Sequence, residues 1–220
     1  MDTFDQVISF LPLFFIGLAA LLSIRVFPGE SPRPLRMFAQ LCIITFLVEL
    51  TGHLIKGEQN ANHWLYNIFH IFYYVYLASI FYQQLKSERI KLLISVFYIV
   101  FILFAIYNTL FLQDLFSLQT YPLVIGGAFS IFLSGAYFWE LFISTDHESI
   151  TRDPFFWFTF GLILYFGGTL PFLGMFNYMS DNFYDFTVFY YRYFSNAFSI
   201  LLNILIMIGF LCRKSYQRLS

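Results

Sequence analysis

The stretch VELTGHLIKGEQNANHWLYNIFH, Val48 to His70, joins two apolar runs of a 220-residue chain. It carries Glu49, His53, His63 and His70, so a carboxylate and three of the four histidines lie around one polar turn. A short polar turn between two long apolar runs predicts a hairpin of two antiparallel helices. Further runs of the same kind make up the rest of the chain, so the hairpin predicts the architecture of the whole protein.

The composition predicts a membrane protein. Apolar residues make up 59% of the chain and charged residues 11%, whereas a soluble domain carries about a quarter charged residues. The apolar runs are each about 20 residues long, which is enough for a helix to cross a hydrocarbon layer about 30 Å thick. We therefore expect an all-α, polytopic protein whose surroundings are the lipid bilayer, with no nucleic-acid partner.

The apolar runs predict a seven-transmembrane-helix bundle within a single domain, 1–220. Pro28, Pro32 and Pro34 separate the first run from the second, because proline interrupts a helix. The other connections are short and polar, which leaves no room for a soluble domain between the spans. The predicted spans one to seven cover about 7–24, 36–55, 63–85, 92–112, 119–143, 155–177 and 186–211.

The basic residues predict the orientation of the bundle. Lys and Arg accumulate in cytoplasmic loops, and ten of them lie in the first, third and fifth connections and the C-terminal tail, against Lys56 alone on the other side. We expect the N-terminus outside and the C-terminus in the cytoplasm, in a multi-pass protein of the cytoplasmic (plasma) membrane of a bacterium. The ten residues are Arg25, Arg33, Arg36, Lys86, Arg89, Lys91, Arg152, Arg213, Lys214 and Arg218.

Spans two and three each carry a polar stripe in their outer halves. Glu49 and His53 are four residues apart and therefore share a helix face. On span three, Asn67 and His70 lie on one stripe with His63, which is nearer the surface. If the hairpin folds in the middle of its turn, Glu49 and His70 come to the same depth.

Span seven brings a third polar stripe, with Arg192 and Asn196 four residues apart. Arg192 lies about seven residues inside the outer surface, or about 10 Å at 1.5 Å per residue. A charge at that depth is costly against lipid, so Glu49 and Arg192 should face the bundle interior and pair there. We expect a polar, outward-facing pocket walled by spans two, three and seven. Its predicted residues are Glu49, His53, Asn67, His70, Arg192 and Asn196.

Two other interpretations of these polar residues remain open. In one, they form a buried structural network in which Glu49 pairs with Arg192. In the other, they hold a metal or a haem, since glutamate and histidine are zinc ligands. The candidate metal ligands would be Glu49, His53 and His70, with His63 as a fourth. A cation is disfavoured by Arg192 nearby, so we expect neither a metal nor another cofactor.

Two known classes of seven-helix protein are disfavoured by single residues. A retinal protein needs a lysine in its seventh helix to form a Schiff base, and this chain has none within span seven. The metal-dependent hydrolases related to alkaline ceramidases and adiponectin receptors carry an H-x-x-x-H pair in their last helix. Arg192 and Asn196 occupy that spacing here, so the ligands of such a site are missing.

The seven-span architecture and the pattern VELTGH…N…LYNIFH at Val48 to His70 resemble the seven-helix sensory membrane modules of bacterial signalling proteins. Such modules usually precede a kinase or cyclase domain, whereas this chain stops at Ser220. The resemblance therefore implies a sensor whose output passes to a separate cytoplasmic or membrane signalling partner. It supplies no ligand.

We expect a sensor or receptor-like protein in which the outward-facing pocket binds a small ligand. Pro171 should kink span six near the rim of this pocket, where movement could be passed to the cytoplasmic loops. A transporter or permease is the first alternative, but the inner halves of spans two and three are mostly apolar. An intramembrane enzyme, including a metal-dependent one, is the second, but no nucleophile and base pair is evident. The sequence therefore favours a role other than catalysis.

Overall fold

The protein is helical throughout the part that its computed structural model describes. The described backbone covers residues 3–28, 31–55, 62–143 and 150–216, and within these ranges there is no β-strand. The side chains of residues 3–9 and 213–216, and those of Asn177, Tyr191 and Arg192, are not part of this description.

Eight α-helices follow one another along the described chain. Short 3-10 helices at Ile24–Val26 and Ile150–Arg152 occupy two of the connections. Asn108–Leu112 and Tyr191–Ser195 form two π-helical segments. The helices are α1 (Thr3–Ser23), α2 (Arg33–Leu54), α3 (His63–Gln84), α4 (Glu88–Tyr107), α5 (Thr120–Ile143), α6 (Pro154–Asn182), α7 (Tyr184–Tyr190) and α8 (Asn196–Tyr216).

Six of the described helical segments are long and apolar enough to cross a membrane, with α7, its π-helical segment and α8 counted as one from Tyr184 to Cys212. The helix at the N-terminus contributes a shorter apolar segment, Phe10–Val26. The chain is therefore built as a multi-pass membrane protein. The largest differences from the predicted bounds are at the ends of two helices. The helix α6 continues through Pro171 and ends at Asn182 rather than near 177, and α8 ends at Tyr216 rather than near 211.

The helices pack as a closed ring with one helix outside it. Going round the ring, α1 contacts α2, α2 contacts α3, α3 contacts α5, α5 contacts α6, α6 contacts α8, and α8 returns to α1. The remaining long helix, α4, packs on α3 and α5. A consequence for the predicted pocket is that α1 lies between α2 and the helix that carries Arg192.

One end of the bundle collects the positive charge, and we call it the basic end. Its described part comprises residues 24–28, 31–32, 85–87 and 150–153 and the end of α8. Glu140 of α5 accepts hydrogen bonds from the backbone N–H groups of Lys86 and Ser87, both at 2.8 Å. This carboxylate therefore binds the two residues that directly precede α4, at a helix terminus where free N–H groups and the helix dipole favour a negative charge. Lys56, Arg218 and the side chains of Arg192, Arg213 and Lys214 lie outside the described residues.

Aromatic side chains fill the bundle next to the basic end. The rings of Phe38 and Phe158 stack at 4.1 Å between centroids, and Phe155 and Phe210 pack against both of them. Phe158 is 1% exposed. We call these four phenylalanines the aromatic cluster. Because they come from α2, α6 and α8, they close the space between these helices in the half of the bundle next to the basic end.

Candidate functional site

The hairpin of α2 and α3 is fixed at the end of the bundle away from the basic residues, which we call the opposite end. The amide of Asn62 donates to the Gly52 carbonyl oxygen at 3.0 Å. Gly52 also faces the Tyr66 side chain so closely that an added Cβ would lie 2.8 Å from Tyr66 Cζ. Only a residue without a side chain lets the two helices approach here, and this approach sets their register.

That register brings the Tyr66 hydroxyl to Glu49. The hydroxyl donates to Glu49 Oε2 at 3.0 Å. The sequence predicted that Glu49 lies at the depth of His70. In the structure, Glu49 contacts Tyr66, which lies one helical turn from His70 toward the opposite end. The spacing of Tyr66 and His70, four residues apart on one helix face, is the signal that could have identified Tyr66 as a member of the site.

His70 lies between two tyrosine rings and has an unused ring nitrogen. Its ring centroid is 6.3 Å from that of Tyr66 and 6.4 Å from that of Tyr74, with interplanar angles of 26° and 27°. His70 Nδ1 is buried and has no hydrogen-bond partner. Buried polar atoms are nearly always paired in folded proteins, so each exception requires an explanation. We call Glu49, Tyr66 and His70 the polar triplet.

His53 and His63 lie at the edge of this arrangement. His53 is exposed, and its ring meets the Phe10 ring of α1 edge-on at 6.1 Å. His63 is half-buried at the first residue of α3. Within the described ranges, no three His, Cys, Asp or Glu side chains form a group that could hold a metal ion.

Asn67, another predicted site residue, holds a connection in place. It is 3% exposed, and its amide nitrogen donates to the carbonyl oxygens of Leu115 and Ser117, both at 2.7 Å. Its amide oxygen accepts from the Gln119 backbone N–H at 3.1 Å. Asn67 thus ties α3 to the connection between α4 and α5, and the bonds that it makes give it a structural role.

Arg192 and Asn196 belong to the segment that joins α7 to α8. The Arg192 backbone lies within the π-helical segment Tyr191–Ser195, and Asn196, at the first residue of α8, is half-buried. The Arg192 side chain lies outside the described residues, so its pairing with Glu49 stays a prediction. The same holds for the pocket that α2, α3 and the last span were predicted to enclose.

Tyr190, at the end of α7, contacts α6 around Pro171. Its hydroxyl donates to the Gly168 carbonyl oxygen at 2.7 Å, and its ring stacks on Phe172 at 3.9 Å. Because Pro171 has no N–H group, the backbone of α6 lacks one of its own hydrogen bonds here. Tyr190 therefore connects the weakened turn of α6 to the π-helical segment that follows, and π-helical turns often occur at functional sites.

A second polar region, which the sequence analysis did not identify, lies where α4 ends. Asn108 is 0% exposed, and neither its side-chain oxygen nor its nitrogen has a partner. Nearby, the Gln119 amide donates to Thr109 Oγ1 at 3.0 Å and to the Gln113 carbonyl oxygen at 3.1 Å. The polar residues in the run from Asn108 to Gln119, between two apolar spans, are the signal that could have revealed this region.

A half-buried carboxylate at the basic end has a structural explanation. Asp153 caps α6 by accepting from the Phe155 backbone N–H at 2.9 Å, and its other oxygen accepts from the Tyr137 hydroxyl. Burial raises the pKa of the Asp153 carboxyl above its ordinary value, and the hydrogen bond from Tyr137 opposes that shift. Asp153 is thus fully partnered, in contrast to His70.

The polar triplet can bind a small polar group or exchange a proton, because it combines a carboxylate, a hydroxyl and an imidazole nitrogen that has no hydrogen-bond partner. It includes no serine, cysteine or lysine nucleophile next to a base, which covalent catalysis requires.

Comparisons with models of protein families, with curated proteins and with solved structures found no match to this chain.

Proposed function

We propose that this protein is a sensor or receptor-like protein of the cytoplasmic membrane, with seven spans, the N-terminus outside and the C-terminus in the cytoplasm. The concentration of Lys and Arg at the basic end supports this orientation, because such residues are retained on the cytoplasmic side. The opposite end, with the polar triplet, then faces outward. The site would bind a small ligand that reaches it from outside the cell.

The observation that carries the proposal is the unpartnered Nδ1 of His70. It lies between the rings of Tyr66 and Tyr74, and the Tyr66 hydroxyl is hydrogen-bonded to Glu49. An unsatisfied buried polar atom costs about 1–3 kcal/mol. A ligand that supplies the missing hydrogen bond would recover that free energy, and the tyrosine rings would contact its apolar part.

The aromatic cluster favours a sensor over a transporter. Its four phenylalanines are all buried and offer no polar group to a passing solute. Apolar constrictions of this kind tend to lose their water. A sensor can detect a ligand through a site that is open on one side and closed on the other. A transporter must open its site to both sides of the membrane in turn.

The signal would pass through α6, α7 and the π-helical segment. A ligand changes a conformational equilibrium only when it binds two arrangements with different affinity. The contact of Tyr190 with Gly168 and Phe172 next to Pro171 is formed in this structure, and its release would give the second arrangement. Its release would move α6, whose other end lies at the basic end, where a separate partner would receive the signal.

The orientation can be tested by labelling single cysteines. Ser117 and Arg89 are both exposed, at the opposite end and the basic end respectively. In a background with Cys42→Ala and Cys212→Ser, a membrane-impermeant maleimide should label Ser117→Cys on intact cells and label Arg89→Cys only after lysis. The reverse pattern would overturn the orientation.

The site itself can be tested with His70→Cys in the same background. Small charged methanethiosulfonates, one anionic and one cationic, should react with this cysteine from outside and not from the cytoplasmic side. Reaction from both sides would indicate a transporter, and so would reaction of Asn203→Cys in α8. If neither reagent reacts from either side, the polar triplet is a structural network.

A sensor further requires that occupancy of the site change the basic end. We expect labelling of His70→Cys to change backbone hydrogen exchange in the connections around 85–87 and 150–153. Unlabelled His70→Cys provides the reference. Unchanged exchange at the basic end after complete labelling would leave a binding site without an output and would contradict the sensor.

A further inference from the structure

A groove of about 490 Å³ opens at the basic end. It belongs neither to the polar triplet nor to the aromatic cluster. It lies where the start of α2 meets α3 and the short helix that follows α1. Its lining residues are Phe27, Arg33, Arg36, Met37, Gln40 and Tyr76.

The groove follows one face of α2. Arg33, Arg36, Met37 and Gln40 are spaced by three, one and three residues, which places all four on the same side of the helix. The Tyr76 hydroxyl of α3 donates to Gln40 Oε1 at 2.6 Å. Arg33 and Gln40 are seven residues apart, so the groove extends about 10 Å from the end of the bundle toward the hydrocarbon layer.

The two arginines leave their positive charge uncompensated within the described chain. Both side chains are exposed, and neither makes an ion pair with a described carboxylate. Two like charges three residues apart on a helix repel each other slightly. No described carboxylate offsets this repulsion, so the pair favours an anion bound in the groove.

The walls of the groove identify the kind of anion. Beside the arginines, Phe27, Met37 and the Tyr76 ring line the same groove with apolar surface. Guanidinium groups bind phosphate oxygens through paired hydrogen bonds. Basic grooves between spans on the cytoplasmic side suit anionic phospholipid headgroups.

We propose that this groove binds an anionic glycerophospholipid. Arg33 and Arg36 hold the phosphate-bearing headgroup, and the chains extend along Phe27, Met37 and Tyr76. Free inorganic phosphate would use the two arginines and leave the apolar walls uncovered, so the lipid satisfies more of the groove. This site is separate from the polar triplet; it rests on the orientation proposed above and not on the sensor role.

Native mass spectrometry of the full chain, released from a neutral detergent, tests the proposal. The probes are phosphatidylglycerol and phosphatidylcholine with identical acyl chains. We expect wild type to retain phosphatidylglycerol at least about tenfold more tightly than phosphatidylcholine, and the R33Q/R36Q double variant to lose that preference. The matched control is K86Q/R89Q, which removes the same charge at the same end outside the groove, and it should bind as wild type does.

A second variant separates the shape of the groove from its charge. Gln40→Trp keeps both arginines and fills the groove, so it should also lose phosphatidylglycerol binding. If R33Q/R36Q does not fold, Gln40→Trp still tests the proposal. The proposal is overturned if both lipids bind equally to wild type, if K86Q/R89Q loses binding as fully as R33Q/R36Q, or if Gln40→Trp binds as wild type. Displacement of the lipid by millimolar inorganic phosphate would also overturn it, because it would indicate a simple ion site.

Discussion

The two halves of the bundle bury different chemistry. Next to the basic end, the aromatic cluster fills the space between three helices, and Phe38 and Phe158 stack at 4.1 Å. The polar triplet, the buried Asn108 and both π-helical segments lie toward the opposite end. The first half is arranged for close packing, whereas the second retains hydrogen-bonding capacity that the protein does not use.

Both halves of the bundle bury polar atoms without a hydrogen-bond partner, but the groups differ in kind. The half next to the basic end also buries two hydroxyls without a partner, those of Ser134 and Thr159. Each is a single small group at a helix contact. His70 and Asn108 instead bury an imidazole and a primary amide, whose desolvation costs more. A protein that retains such groups at one end gives up some stability there, and a binding site is the physical reason that we propose.

The largest effect should come from breaking the aromatic cluster. Phe158→Ala removes a ring that is 1% exposed and should lower the free energy of unfolding by about 3–5 kcal/mol, because a cavity remains between α2, α6 and α8. Denaturant unfolding in mixed micelles measures this change. The matched control is Phe160→Ala on the same helix, where the side chain is 38% exposed. A loss at Phe160 equal to that at Phe158 would contradict the asymmetry.

A smaller loss is expected at the opposite end from Gly52→Ala. The added methyl group would meet the Tyr66 side chain, and overpacking of this kind costs about 1–3 kcal/mol. The displaced hydroxyl would also lose its bond to Glu49. Thermal unfolding measures the loss. Gly135→Ala is the control, since an added Cβ there has nothing within 4 Å, and alanine favours a helix by up to about 1 kcal/mol.

The sign of the effect at His70 distinguishes a site from a structural network. His70→Phe keeps an aromatic ring between Tyr66 and Tyr74 and removes an unpaired polar atom, so it should raise the free energy of unfolding by about 1 kcal/mol. In a structural network, the same change would lower it. Denaturant unfolding of the ligand-free protein decides between these outcomes.

Asn67→Leu is the matched comparison for His70→Phe. It lies on the same helix and removes three hydrogen bonds, so stability should fall by about 1 kcal/mol for each. Opposite signs for the two variants would separate a residue kept for its chemistry from one kept for its bonds. If both variants destabilise the protein equally, the distinction is lost.

The smallest effect is the pH dependence of the basic end. Burial raises the pKa of Asp153 in the folded protein, so its proton binds more tightly when the chain is folded. Its contribution to stability is present below the ordinary carboxyl pKa of about 3.9 and is lost as the pH rises through the raised value. Asp153→Asn should therefore flatten the fall in melting temperature as the pH increases from about 4. Identical slopes in wild type and variant would contradict this.

The overall architecture was largely predictable from the sequence, and the composition of the candidate site only in part. Long apolar runs between polar turns predict membrane-spanning helices because, in lipid, a helix satisfies its backbone hydrogen bonds by itself. The same local reasoning selected Glu49 and His70 from their depth and spacing. It assigned Asn67 to the pocket, which stays a prediction, and it could not foresee that Asn67 bonds to backbone atoms far along the chain.

What the sequence determined by itself is local. Runs of apolar residues set the positions of the helices, prolines and polar turns set their ends, and the basic residues gather at one end of the bundle. The tertiary structure decided which side chains meet. It placed Tyr66 on Glu49, Tyr190 on Gly168, Glu140 on the start of α4, and α1 between α2 and α8. These contacts join residues that are far apart in the chain, and they depend on how helices rotate and approach one another. A glycine at one contact point or a buried amide at another fixes that geometry. The periodicity of a single helix does not reveal which helix it packs against.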